Sequence, residues 1–212
     1  MCPLLASHAH SPFSDALDSA AILDVRCMAL AKNAPRILVT GASGFVGRHV
    51  IAALVEAGYI VRAAARRPPQ PAFAACVEVS LHPDLMEAFD WSPLINGVDQ
   101  IVHLAGIAHA GRGVAPELHD RVNRQATKQL ATAAAEAGVK RFVFVSSIRA
   151  QSGPAADHAL TERDPAVPSD PYGRSKLAAE IAVRSSGLPF TILRPVLLYG
   201  PGAKGNFALL SR

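Results

Sequence analysis

Cysteine is scarce in this 212-residue chain, and Cys2, Cys27 and Cys76 follow no recurrent spacing. That excludes a disulfide framework and a cysteine-based zinc cluster, and it fits a reducing, cytoplasmic setting with incidental thiols. Charge of one sign is also weak: 21 basic residues face 17 acidic ones and lie scattered apart from Arg66-Arg67. No basic stripe points to nucleic acid as a partner. The eight histidines, among them His8, His10, His103, His109 and His119, show no repeated ligand spacing, so no metal site is expected. No apolar run is long enough to span a membrane. Residues 1–35 lack the basic start and continuous apolar stretch of a signal peptide and read as an N-terminal extension. A domain starting at Met28 would lose nothing assignable to chemistry.

What is present is an alternation. Half of the residues are hydrophobic and 18% are charged, enough to bury one sizeable core. Short apolar runs recur at 36–40, 59–65, 76–80, 100–105, 141–146 and 190–194, each the length of a strand. Helical periodicity fills Phe45 to Ala57, Pro116 to Ala137 and Pro171 to Ser186, and Gly58 and Gly138 follow the first two as left-handed caps. Strands apolar on both faces, alternating with helices, predict an α/β fold: a doubly wound parallel sheet with right-handed crossovers.

The stretch RILVTGASGFVGRHVIAAL, Arg36 to Leu54, spaces its glycines as Gly41-x-x-Gly44-x-x-Gly47 between a strand and a helix. Such spacing permits a tight turn, brings bare backbone N–H groups against a pyrophosphate, and packs the helix close to the sheet. The helix N-terminus then faces the anion. Where an acidic residue would bind a ribose 2′-hydroxyl at the end of the second strand, the chain reads AAARRP. Arg66 and Arg67 suit a 2′-phosphate, which favours NADP, with NAD as the alternative.

In DPYGRSKLAAEIAV, Tyr172 and Lys176 stand i and i+4 on a helix, with Cβ atoms about 5 to 6 Å apart. A phenol with a reference pKa near 10 is a poor base at neutral pH, and lowering it by about 3 requires roughly 4 kcal/mol. A neighbouring Lys176 ammonium is expected to supply much of that. The fifth strand ends in VFVSS, and parallel strands present their carboxyl ends to the ligand crevice. Ser147 can therefore reach the same substrate oxygen as Tyr172.

Together these residues resemble the extended branch of the short-chain dehydrogenase/reductase family, the NAD-dependent epimerase/dehydratase group, over about Arg36 to Gly202. TGASGFVG is similar to its cofactor loop, through Gly41, Gly44, Phe45, Val46 and Gly47. HLAG, with Leu104, Ala105 and Gly106, is similar to the end of its fourth strand, and Asn123 to its Asn four residues before a Thr. Ser147 with YGRSK resembles its Ser, Tyr and Lys triad, and LRPVLLYGPG the segment that passes under the nicotinamide. The resemblance implies a Rossmann-type domain over 36–202. It also implies Tyr172 as general acid/base, Lys176 as ribose-binding modifier of its pKa, Ser147 as orienting donor and Pro195 near the nicotinamide.

Ser80 departs from an Asp that binds adenine in many relatives, and Ala126 from a frequent Gly. Family members continue well past Arg212. The chain is therefore expected to be truncated, with 203–212 opening a substrate lobe. Val196, Leu197, Leu198, Phe207, Leu209 and Leu210 are then expected to be left exposed, promoting self-association. The wording most resembles enzymes of nucleotide-linked sugars, epimerases and 4-keto reductases of surface polysaccharide synthesis. A nucleotide sugar is the expected substrate, with a homodimer left open. The alternatives are a ketone reductase for a non-sugar substrate and a catalytically inactive dinucleotide-binding fragment or sensor.

Overall fold

Ile37, Leu38 and Val39 are all buried, as consecutive apolar residues must be in a strand covered on both faces. They form β1 (Arg36–Thr40), followed by β2 (Ile60–Ala65), β3 (Glu78–Leu81), β4 (Gln100–His103), β5 (Arg141–Val145) and β6 (Phe190–Leu193). These make one sheet in the order β3-β2-β1-β4-β5-β6. Every pairing is parallel. The order runs outward from β1 in both directions, so the loops after β1 and β4 diverge and open a crevice at the carboxyl ends of the strands. This is the doubly wound, Rossmann-type sheet that the alternation predicts. The computed structural model describes residues 34–107, 115–153, 155, 156 and 158–202.

Side-chain alternation sends the strand residues into two cores. Leu38, Ile101, Phe142 and Phe144 pack with Leu130, Ala131 and Ala134 of α4 (Ala126–Glu136) and with Ala179 and Val183 of α5 (Pro171–Arg184). Ile37, Val39, Val61 and Ala63 meet Ile51 and Val55 of α1 (Phe45–Glu56) on the other face. Beyond β1 that second face is less covered. Val102, Val143, Val145 and Leu193 line an apolar cavity of about 430 Å³ with Val46, Val50 and Pro195. Val196, Leu197 and Leu198 are exposed, as expected; Phe207, Leu209 and Leu210 lie outside the described residues.

Two differences from the periodicity reading bear on the site. The run from Pro116 to Ala137 is not one helix: α3 (Pro116–His119) passes through a π-helical stretch, Asp120–Gln125, into α4. A wide turn adds a residue without breaking the amphipathic pattern, so apolar spacing does not reveal it. A short helix, α2 (Ser92–Ile95), buries Leu94 and Ile95 where no helix was expected, four residues being too few for a period. Cys2 and Cys27, like the rest of the N-terminal extension up to residue 33 and residues 203–212, lie outside the described residues.

Candidate active site

Gly41 follows β1 with φ +68°, a conformation L side chains rarely adopt, and an added Cβ would sit 2.8 Å from the Ala105 backbone nitrogen. The loops after β1 and β4 thus touch through bare backbone. At Gly47 a Cβ would fall on the Gly41 carbonyl oxygen and 2.7 Å from that of Ala42, so only glycine lets α1 start this close to the loop. Gly44 is the N-cap of α1, with no side-chain cap and no acidic residue in the first turn. The helix therefore offers its first N–H groups and positive dipole end to an anion.

Gly41, Ser43, Gly44, Leu104, Ala105 and Gly106 line a crevice of about 410 Å³ that continues past Arg66 to the loop after β3. A glycine floor, an uncapped helix start and an arginine at the far end suit a nicotinamide dinucleotide. Phe45 and Gly47 lie behind this lining: the Phe45 ring stacks edge-on to His49, and Gly47 is buried. Val46 and Pro195 line the apolar cavity on the other face, which Leu104 shares.

The far end differs from the sequence reading. No acidic residue neighbours Arg66 in sequence, yet Asp84, from the loop after β3, accepts a hydrogen bond from its guanidinium at 2.9 Å. His82, Asp84, Leu85 and Met86 all line the crevice there. Backbone bonding to the Met86 N–H and the Arg66 guanidinium hold the Asp84 carboxyl below its usual range. The local signal was only Asp84 itself, four residues beyond Ser80; pairing of β2 with β3 brings it to Arg66.

At the end of β5, Ser147 and α5 meet. Asp170 caps α5 by accepting from the Gly173 N–H at 3.0 Å, with Pro171 in the first turn. The same carboxylate accepts two bonds from Arg149, at 3.0 and 2.6 Å, and the Arg149 N–H donates to the Ser147 hydroxyl. That clamp sets the start of the helix against the Ser147 turn. Tyr172 is half-buried, its ring 5.9 Å from that of His119, a neighbour no motif indicated. Burial raises the phenol above its ordinary pKa, against a lowering pull from the Ser147 hydroxyl and Arg149.

Lys176 lies one turn further along α5. It is buried; its Nζ donates to the Val145 carbonyl at 2.8 Å and lies 4.2 Å from the centre of the Phe144 ring. Burial lowers its pKa to about 7, with Glu180 partly opposing. Its charge is not among the causes that shift Tyr172, whose phenol is raised rather than lowered. The i, i+4 spacing aligned the two residues but said nothing of desolvation.

A pH test follows. Between about 7 and its ordinary 10.5, the folded chain releases a proton from Lys176 that the unfolded chain keeps, so stability rises with pH across that window. From about pH 7.5 to 9.5, urea unfolding is expected to gain about 2 kcal/mol relative to Lys176→Met. Parallel stability curves for the two proteins would show a lysine that stays charged.

Asn123, in the π-helical stretch, is buried and bonds to three groups: the Ile107 N–H at 2.8 Å, the Ile107 carbonyl at 3.1 Å and the Ser175 hydroxyl at 3.0 Å. It ties the crevice wall to the first turns of α5. Thus the structure gathers Gly41, Gly44, Arg66, Leu104, Ala105 and Gly106 in the crevice, and Ser147, Tyr172, Lys176 and Asn123 beside the ends of β4 and β5.

Comparison with known proteins agrees with this architecture. The chain is 34% identical over 195 residues to a UDP-glucose 4-epimerase of Vibrio cholerae, covering 88% of this chain and 58% of that protein. It is 34% identical over 180 residues to a ceramide reductase of Caulobacter vibrioides, covering 83% of this chain and 51% of that one. The chain thus spans little more than half the length of these relatives. A solved structure of MoeE5 in complex with UDP-glucuronic acid and NAD superposes with a TM-score of 0.70 at 31% identity, covering 80% of this chain and 57% of MoeE5. The sequence model of the NAD dependent epimerase/dehydratase family matches residues 37–210, and the chain belongs to that family.

Proposed function

We propose that this chain carries the dinucleotide-binding and acid/base part of an NAD(P)-dependent oxidoreductase or epimerase acting on a nucleotide-linked sugar. The observation that carries the reading is the meeting of Ser147, Tyr172 and Lys176 at the end of β5, beside a glycine-floored crevice. A bound nicotinamide dinucleotide supplies the hydride acceptor or donor. Gly41, Gly44 and the start of α1 hold its pyrophosphate, and Asn123 keeps the wall at Ile107 in place. Ser147 orients a substrate oxygen. Tyr172 takes the hydroxyl proton at its phenolate oxygen during oxidation and returns it during reduction. Lys176, next to the Val145 carbonyl, binds ribose hydroxyls and stabilises the phenolate once protonated.

The sugar substrate is supported by the UDP-glucose 4-epimerase of Vibrio cholerae and by MoeE5, solved in complex with UDP-glucuronic acid. The ceramide reductase relative favours the second reading, reduction of a non-sugar ketone. Incubating the chain with dinucleotide and either UDP-glucose or a long-chain ketone, with products followed by chromatography, separates the two. Dinucleotide binding with neither turnover identifies a silent binding module.

For the cofactor we propose NADP over NAD. The Arg66–Asp84 ion pair is exposed, so surrendering it costs at most about 1 kcal/mol. A charge-assisted bond to a 2′-phosphate is worth more, roughly 1.5 to 3 kcal/mol. Fluorescence titration is expected to show NADPH binding more tightly than NADH. Arg66→Asp should shift the preference toward NADH by roughly 1 to 3 kcal/mol, and Asp84→Asn should strengthen the NADPH preference. Equal wild-type affinities would remove the idea.

A further inference from the structure

His103, the last residue of β4, is completely buried, yet neither its position nor its partners make it a group that touches substrate. Its Nδ1 lies 2.6 Å from the Thr40 hydroxyl and its Nε2 2.8 Å from the Thr127 hydroxyl. The direction of these bonds is determined by what lies beyond them. Thr127 gives its proton to the Asn123 carbonyl at 2.6 Å, so it can only accept from His103, which must carry its proton on Nε2. Thr40 accepts from the Ala105 N–H at 3.3 Å and gives its own proton to Nδ1. Burial, the nearby Lys176 and His82 lower the imidazole pKa to about 3, so the ring is neutral, as one donor and one acceptor require.

Both arms of this chain return to the crevice wall that follows His103 itself. One arm ends on the Ala105 N–H through Thr40. The other passes through Thr127 to Asn123, whose side chain grips Ile107 by both backbone groups and reaches Ser175, which donates to the Tyr172 carbonyl. Gly106 between them leaves room for this grip, since a Cβ there would meet Asn123 Oδ1 at 2.9 Å. We propose that His103 is a positioning residue, a neutral Nε2–H imidazole that clamps the 104–107 wall from both sides and sets it against the first turn of α5. The part of the inference that concerns ligand affinity rests on reading the crevice as the dinucleotide site.

The test uses the whole chain and starts without dinucleotide. Nitrogen-15 spectra of wild-type protein at about pH 6 should show His103 neutral with the proton on Nε2. An Nδ1–H tautomer or an imidazolium would overturn the proposal. In His103→Phe, amide exchange at Ala105 and Ile107 should accelerate about tenfold more than at Leu38 in β1, which reports global opening. His103→Gln, whose amide offers an N–H donor to Thr127 and a carbonyl acceptor to Thr40, should restore protection. Equal acceleration at all three amides, or no rescue by Gln, would reduce His103 to a core filler.

NADPH affinity, read by fluorescence, should fall about tenfold in His103→Phe and within about threefold in His103→Gln. A wild-type chain that binds no dinucleotide would sink the reading of the crevice, while the spectra and exchange rates still decide the clamp. Should His103→Phe fail to fold, the wild-type spectra and Thr127→Val decide it: that variant should speed exchange at Ile107 and leave Ala105 unchanged.

Discussion

Tyr172→Phe is expected to lower turnover by roughly 10² to 10⁴-fold, the range for removing a positioned acid/base, while dinucleotide affinity stays within a few-fold. The phenyl ring keeps the half-buried packing and the contact with His119, so the clamp of Asp170 and Arg149 at the start of α5 has no reason to shift. Only the hydroxyl that faces Ser147 is lost. Lys176→Ala should differ by weakening both turnover and dinucleotide binding, because the proposed mechanism gives Lys176 two tasks, holding ribose and, once protonated, stabilising the phenolate. Single-turnover kinetics with a responsive substrate, alongside fluorescence titration of NADPH, separates the two patterns. Substantial activity in Tyr172→Phe would place the acid/base role on another group.

Glu180→Ala is expected to be strongly destabilising. Glu180 is 1% exposed and accepts from the Ser146 hydroxyl at 2.6 Å and from two nitrogens of Arg194 at 2.9 and 2.5 Å. Arg194 also donates to Gln151 at 3.2 Å. The carboxylate therefore joins the end of β5, the end of β6 and the middle of α5. Its removal leaves a largely buried guanidinium without its anion, a loss of about 3 to 5 kcal/mol. For a chain of this size that lowers the thermal midpoint by roughly 6 to 20 °C. The double variant Glu180→Leu with Arg194→Leu should recover most of the loss, since the cost lies in the unpaired charge and not in the missing contact. A single variant that melts within about 2 °C of wild type would show the pair to be solvated in solution.

Local order was legible in the sequence. Strand runs such as RFVFV, the Gly41, Gly44 and Gly47 spacing and the Asp170-Pro171 helix start record short-range constraints: backbone angles, a cap, a period. Each is satisfied within a few residues, so each leaves its mark in a few residues. The parallel, doubly wound sheet followed from strands apolar on both faces alternating with helices, since only helices on both sides can cover them.

What the tertiary structure alone decided concerns ionisable groups and their partners. Arg66 was read as having no acid beside it, yet β3 delivers Asp84 to it from 18 residues away. Lys176 and Tyr172 were correctly set on one helix face, but burial moved both pKa values in the direction that opposes the expected phenolate. His103 was read as a histidine without ligand spacing and as the first residue of HLAG, yet its bonds run to Thr40 and Thr127, 63 and 24 residues distant. A residue's period and turn preference are properties of its own backbone neighbourhood, which the sequence records directly. Its charge state and hydrogen-bond direction depend on desolvation and on groups that only folding brings within 3 Å.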